Sequence, residues 1–186
     1  MINRAFLLLV LFALTFVSCE NDMRKVDAIN ARGYSGEDRA TGVTIIYSKE
    51  GRVEARLFAK EFIRAEAARP PYTDARQGLR IEFYDSTLLI QSTVKARYAR
   101  WYEGKGNVLL RRDVVVANKK GEELHTEELV WNEALKKFFT EKPVRIITPT
   151  QTLYGDGLEA NQDFTWHKIT NIKGMVRVDK SAVPAE

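Results

Sequence analysis

The sequence predicts an all-β sandwich or open roll, and three observations carry that reading. One residue pattern is written four times at a near-fixed spacing. About a dozen short β-rich runs are separated by Gly, Asn and Asp punctuation. No stretch makes a sustained helical case. The pattern is clearest in Leu124–Trp131, where Leu124, Thr126, Leu129 and Trp131 stand at steps of two, three and two. Val94, Ala96, Ala99 and Trp101 repeat it upstream; Leu153, Gly155, Leu158 and Ala160 repeat it downstream. Leu57, Ala59, Phe62 and Arg64 form a looser first copy. Recurrence at one spacing marks stacked supersecondary units. Steps of two hold side chains on one face of a strand, and a step of three turns the next residue over. A bulge or corner at the small residue restores the apolar face. Each copy therefore reads as strand, bend and strand.

A chain of 186 residues is one domain by length and long enough to bury a core. Hydrophobic residues make up 45% and charged residues 29%, as in an ordinary folded domain. The formal net charge is +4 and falls to +3 without residues 1–18, where Arg4 is the sole charge. So small a balance points to no nucleic-acid partner. Lys95, Arg97 and Arg100 alternate with apolar residues and read as a solvated strand face.

Taken in order, residues 1–18 have a basic head, Met1–Arg4, and an uncharged apolar run, Ala5–Val17. That run is shorter than the ~20 residues of a membrane span, so it reads as a signal peptide. Ser18-Cys19 closes it. The only cysteine, Cys19, leaves no internal disulfide to form, and its place resembles the lipobox of bacterial lipoproteins, with Phe16 where Leu is usual. The resemblance implies that Cys19 is lipidated and becomes the first mature residue. Residues 19–42 are polar, contain Gly33, Gly36 and Gly42, and read as a tether.

The β-domain is expected over residues 43–178. Val43–Ser48 is β-branched and aromatic, Gly51 marks a turn, and Arg52–Phe58 follows. Ala59–Ala68 has helical propensity, but the repeat runs through Ala59 and Phe62, which favours strand. Gly78 opens the alternating run Leu79–Tyr84. Strands are expected at Leu88–Thr93, Val94–Tyr102, Val108–Leu110 and Val114–Ala117. Asn118-Lys119-Lys120-Gly121 is a hairpin signal. Glu123–Trp131, Lys137–Thr140, Val144–Thr148, Thr152–Ala160, Trp166–Ile172 and Met175–Val178 complete the set, and residues 179–186 are a polar tail.

No catalytic, metal-binding or cofactor-binding constellation is expected. His125 and His167 stand alone on strands, outside any metal-ligand spacing. Glu122-Glu123 and Glu127-Glu128 place neighbouring carboxylates on opposite faces, so they do not converge. Gly155-Asp156-Gly157 lacks the strand-to-helix setting of a phosphate loop. Trp101, Trp131, Trp166, Phe83, Phe138 and Phe139 read first as core.

A family resemblance rests on Pro71-Tyr72-Thr73, Gly78–Tyr84, Gly106-Asn107-Val108, Gly121–Trp131 and Gly155–Phe164. Together, over Val43–Val178, these segments resemble the LptC family of the lipopolysaccharide export transporter, in a lipoprotein form like that of Bacteroidetes. The resemblance implies a twisted, open β-jellyroll of the kind shared with LptA. It implies a periplasmic, membrane-anchored component, with the anchor in the inner membrane. Its partners would be lipopolysaccharide, the inner-membrane ABC transporter subunits and an LptA-like bridge protein. On that fold, Ile81, Phe83, Val108, Leu110, Leu124, Leu129, Trp131, Val144, Ile146, Leu153 and Leu158 are expected to line a groove for lipid A acyl chains. Met175, Val176 and Val178 are expected to form a partner-binding edge. The same residues without the resemblance fit a lipid-anchored β-sandwich scaffold with no lipid cargo.

Overall fold

A computed structural model of the protein describes residues 37–102 and 104–177. Thirteen strands run through them: β1 (Glu37–Lys49), β2 (Arg52–Ala65), β3 (Tyr72–Tyr84), β4 (Ile90–Ala96), β5 (Tyr98–Tyr102), β6 (Asn107–Asn118), β7 (Glu123–Asn132), β8 (Lys137–Thr140), β9 (Val144–Ile147), β10 (Gln151–Gly155), β11 (Gly157–Asn161), β12 (His167–Thr170) and β13 (Gly174–Arg177). All their pairings are antiparallel. The all-β class and the jellyroll-like architecture are as the sequence predicts.

The pairings sort into two leaves that share their long strands. One leaf runs β1-β2-β3-β4-β6-β7-β9-β10-β13; the other runs β1-β2-β3-β5-β6-β7-β8-β11-β12. Strand β3, for example, pairs with β4 through Leu79–Tyr84 and with β5 through Tyr72–Ala75. The leaves meet along a line of bulges. Lys60 is opposed by Gln77 and Gly78, and Glu127 by Arg112 and Asp113, two residues against one each time. Gln77, Arg112 and Asp113 take left-handed φ of 65°, 64° and 52°, and Gly78 takes 101°. Backbone bonds stitch the line together: Gly78 N–H donates to Arg97 O, and Arg97 N–H to Arg112 O, both at 3.0 Å. Arg97 and Asp113 add an ion pair there.

This bend is the physical content of the repeated pattern. Leu124, Thr126, Leu129 and Trp131 are all buried, and Glu127 at the crossing is exposed. Leu153, Gly155, Leu158 and Ala160 are buried in the same way. Gly155-Asp156-Gly157 is the crossing in that copy, and its glycines are there for space. A Cβ on Gly155 would run into the Ile169 side chain and lie 2.9 Å from the Thr170 carbonyl; one on Gly157 would lie 2.9 Å from the Thr140 carbonyl. Gly174, at the start of β13, has nothing within 4 Å of such a Cβ. Gly155→Ala is therefore expected to cost about 1–3 kcal/mol, as overpacking does, and Gly174→Ala to stay near neutral. Urea denaturation of both variants checks this; equal midpoints would remove the steric account.

Several boundaries move from their expected places. Strand β1 begins at Glu37, so the last six residues assigned to the tether lie in it, and Glu37 to Thr41 pair with β2. Arg52–Phe58 and the stretch after it are one strand, β2, bent at Lys60. Strand β3 starts at Tyr72, seven residues before the expected run, because Gln77-Gly78 is a bulge inside it and not its start. The break expected between Thr93 and Val94 falls at Arg97, on the bend line. Val108–Leu110 and Val114–Ala117 are halves of β6, joined through the Arg112-Asp113 bulge. Residues 1–36 and 178–186 lie outside the described residues, and with them the signal peptide, Cys19, Val178 and the polar tail.

Candidate functional site

The inner faces of the two leaves form one apolar interior. On the first leaf a single cross-strand row runs Ile45, Leu57, Ile81, Val94, Val116, Leu124, Ile146 and Leu153, one residue from each of eight strands. At ~4.8 Å between neighbouring strands this row extends over roughly 34 Å. On the second leaf a row runs Thr73, Trp101, Val108, Trp131, Phe138, Ala160 and His167. Beside it lie Ala75, Ala99, Leu110 and Leu129. The row exists because each strand returns antiparallel with the same inward parity, which the step-of-three bulges restore after every crossing.

All eleven residues expected in the groove face this interior. Ile81, Phe83, Leu110, Leu124, Leu129, Trp131, Val144, Ile146, Leu153 and Leu158 are buried in one cluster, and Val108 packs against it. Ile81, Leu124, Ile146 and Leu153 share the first-leaf row, while Phe83 reaches across to the second leaf. Its ring lies 5.2 Å from Trp131 and 6.0 Å from Phe138, centroid to centroid. Side chains of the two leaves thus meet across the interior at this point, while Ile45 at the β1 end of the row is 37% exposed. Aromatic side chains supplied by both leaves satisfy one another, as area burial favours.

Sequence reasoning missed what closes the mouth. The turn between β11 and β12 crosses from the second leaf to the first. Ser92 Oγ donates to Gln162 O at 2.6 Å, and Asn118 Nδ2 donates to Phe164 O at 2.8 Å. Trp131 Nε1 donates to Gln162 Oε1 at 3.1 Å. Phe164, at φ 54°, is wholly buried and stacks on His167 at 5.2 Å. The signal was present in Asn161-Gln162-Asp163-Phe164, an apolar residue at the end of a polar turn.

The outer face of the second leaf carries an ion cluster that the sequence did not show either. Asp74, with its side chain 1% exposed, accepts from Arg100 at 2.7 and 3.0 Å, from Arg76 at 2.9 and 3.2 Å and from Tyr98 Oη at 2.8 Å. Arg100 lies 3.8 Å above the Tyr72 ring. Burial alone would push the Asp74 carboxyl up, but the hydrogen bonds from Arg100, Tyr98 and Arg76 outweigh it and hold it below the ordinary aspartate range. Burial and the Asp74 charge push the Tyr98 hydroxyl up to about 12. These bonds join β3 to β5 and leave the carboxylate no free lone pair for chemistry. Since the folded pKa is depressed, the stabilisation is complete above pH ~4 and is lost as pH falls through the lower folded value. Asp74→Asn is expected to cost about 1.5–3 kcal/mol at pH 7. That deficit should shrink below pH ~4 in denaturation curves run side by side; a deficit constant to pH 2 would contradict the linkage.

The remaining sequence candidates do not gather into a site. His125 pairs with Glu123 at 2.9 Å on the outer face, and His167 lies at the mouth with Nδ1 unpartnered. Among the described residues, β13 pairs with β10 alone, so the edge that holds Met175 and Val176 is open. At the other end of both leaves β1, again among the described residues, pairs with β2 alone.

An antiparallel roll whose two inner faces carry a continuous aliphatic row, with one edge of β1 and one of β13 open among the described residues, is a β-jellyroll suited to holding an acyl chain and extending by strand addition. A family model described as lipopolysaccharide-assembly, LptC-related, matches residues 6–177, and the chain belongs to this family. Its role is in lipopolysaccharide transport, as a periplasmic, envelope-associated protein that works with lipopolysaccharide and the transport system. No curated protein matches the chain.

Proposed function

We propose that the interior between the two leaves receives lipopolysaccharide from the inner-membrane ABC transporter and passes it to a bridge of like-folded proteins. The observation that carries this is the unbroken row from Ile45 to Leu153. An acyl chain between membranes costs about 0.8 kcal/mol for each CH₂ left in water, and the row offers apolar contact along its whole length. Because Phe83 meets Trp131 and Phe138 across the interior, the leaves part on loading and the lipid takes the place of these side-chain contacts. The unpaired edges of β13 and β1 are the docking strands toward like-folded neighbours. Cys19 carries the lipid that holds the protein at the inner membrane.

A second reading, a lipid-anchored scaffold without lipid cargo, is favoured by the closed packing around Phe83. An intact mass spectrum of the mature protein, extracted gently, separates the two. Acyl mass on a chain beginning at Cys19, together with co-purified lipopolysaccharide, is the expected result, and Cys19→Ala should lose the acyl mass and keep the cargo. A bare polypeptide with no lipid would favour the scaffold.

A further inference from the structure

Outside the first leaf, beside the bend, an open slot of about 450 Å³ lies across β1 to β4. It is on the side of the sheet opposite the interior. The outward cross-strand row there is Thr44, Phe58, Arg80 and Lys95, and Lys60 stands on β2 opposite the Gln77-Gly78 bulge of β3. The slot exists because Gly42 and Gly78, at φ 63° and 101°, carry no side chain, and a Cβ on either would meet nothing within 4 Å. Phe58 is 37% exposed along its wall.

The charges are arranged against the fold's own stability. Arg80 and Lys95 are direct partners on adjacent strands, where like charges repel. Glu82 is 2.7 Å from Arg80, but it also accepts from the Tyr84 hydroxyl at 2.5 Å and faces Arg56 across the ladder. Lys60 and Lys95 have no ion-pair partner among the described residues. Three cations therefore line the slot over an apolar floor, and of the three only Arg80 has a carboxylate partner, Glu82. An anion at this point relieves the repulsion, and the apolar floor asks for hydrocarbon attached to it.

We propose that this slot binds the phosphate-bearing end of an anionic lipid. The phosphate sits among Lys60, Arg80 and Lys95, and the first methylenes of the lipid lie on Phe58 and the glycine backbone. The site does not depend on the interior reading, since no interior side chain takes part.

The test titrates the full chain with dihexanoyl phosphatidic acid below its micelle concentration. Dihexanoyl phosphatidylcholine and inorganic phosphate are the comparison ligands. Any binding of short acyl chains in the interior is common to both lipids, so the difference between them reports the outer slot. Phosphatidic acid is expected to bind at least tenfold more tightly than either comparison ligand. Lys60→Gln with Lys95→Gln should remove that advantage, and Thr44→Trp, which fills the slot on an exposed strand position, should do the same. Lys119→Gln with Lys120→Gln, at the β6–β7 turn, should keep it. An advantage that survives the Lys60/Lys95 pair, an equal loss in the Lys119/Lys120 pair, or inorganic phosphate binding as tightly as phosphatidic acid would each overturn the proposal.

Discussion

A covalent bridge between cysteines placed at Ser92 and Gln162 is expected to stop lipopolysaccharide passage, and reduction to restore it. The Ser92 hydroxyl already donates to the Gln162 carbonyl at 2.6 Å across the mouth, so the two positions belong to opposite leaves and touch. Two more hydrogen bonds, from Asn118 and Trp131, hold the same turn. Three such bonds contribute about 3 kcal/mol together, and the buried Phe164 ring about 2 kcal/mol more. Opening against about 5 kcal/mol leaves roughly one molecule in several thousand open at rest. On the proposed function, lipid delivered under ATP hydrolysis shifts that population, and a covalent bridge does not yield to it. Cys19 is the only native cysteine, so the new pair has no competitor within the domain. Each single variant should transport as the parent does, which separates the bridge from the loss of one hydrogen bond. Unimpaired transport by the oxidised double variant would mean that lipid does not enter between the leaves at this mouth.

Much of this architecture was legible in the chain because it is written locally. The two-three-two steps of Leu124, Thr126, Leu129 and Trp131 record side-chain parity on either side of one bulge, and parity is what decides the inner face. That is why the inward assignment of all eleven groove residues could be read without coordinates. The strand ends were harder. Gln77-Gly78 looks like a turn before Leu79, and only the pairing with Lys60 shows it to be a bulge inside β3. Residues 37–42 look like linker because nothing in Glu37–Gly42 is apolar enough for a core strand. They are exposed along their length in an edge strand, and are held to β2 by backbone bonds and by the ion pair of Arg39 with Glu61.

What the sequence hid depends on contacts between distant segments. Asp74 becomes buried only when β5 brings Tyr98 and Arg100 beside β3, more than 20 residues along the chain. Phe164 closes the mouth only because Ser92 and Asn118 arrive there from other strands. Whether the interior is open or filled is likewise a matter of how Phe83, Trp131 and Phe138 meet, which no alternation within one strand encodes. The repeated motif tells which side chains point inward, and the tertiary packing tells how much room they leave.

The central claim is that acyl chains travel between the leaves, and site-specific photo-crosslinking tests it most directly. A diazirine amino acid close to leucine in size replaces Leu129 on the second leaf or Ile146 on the first, both wholly buried. A third variant carries it at Tyr154, 41% exposed and alternating outward beside the inward Leu153. Circular dichroism of each variant establishes the fold before irradiation in membranes that contain the transporter. The account predicts lipopolysaccharide adducts at Leu129 and Ile146 that appear when ATP is hydrolysed, and none at Tyr154. Equal adducts at all three positions, or adducts at Tyr154 alone, would contradict it.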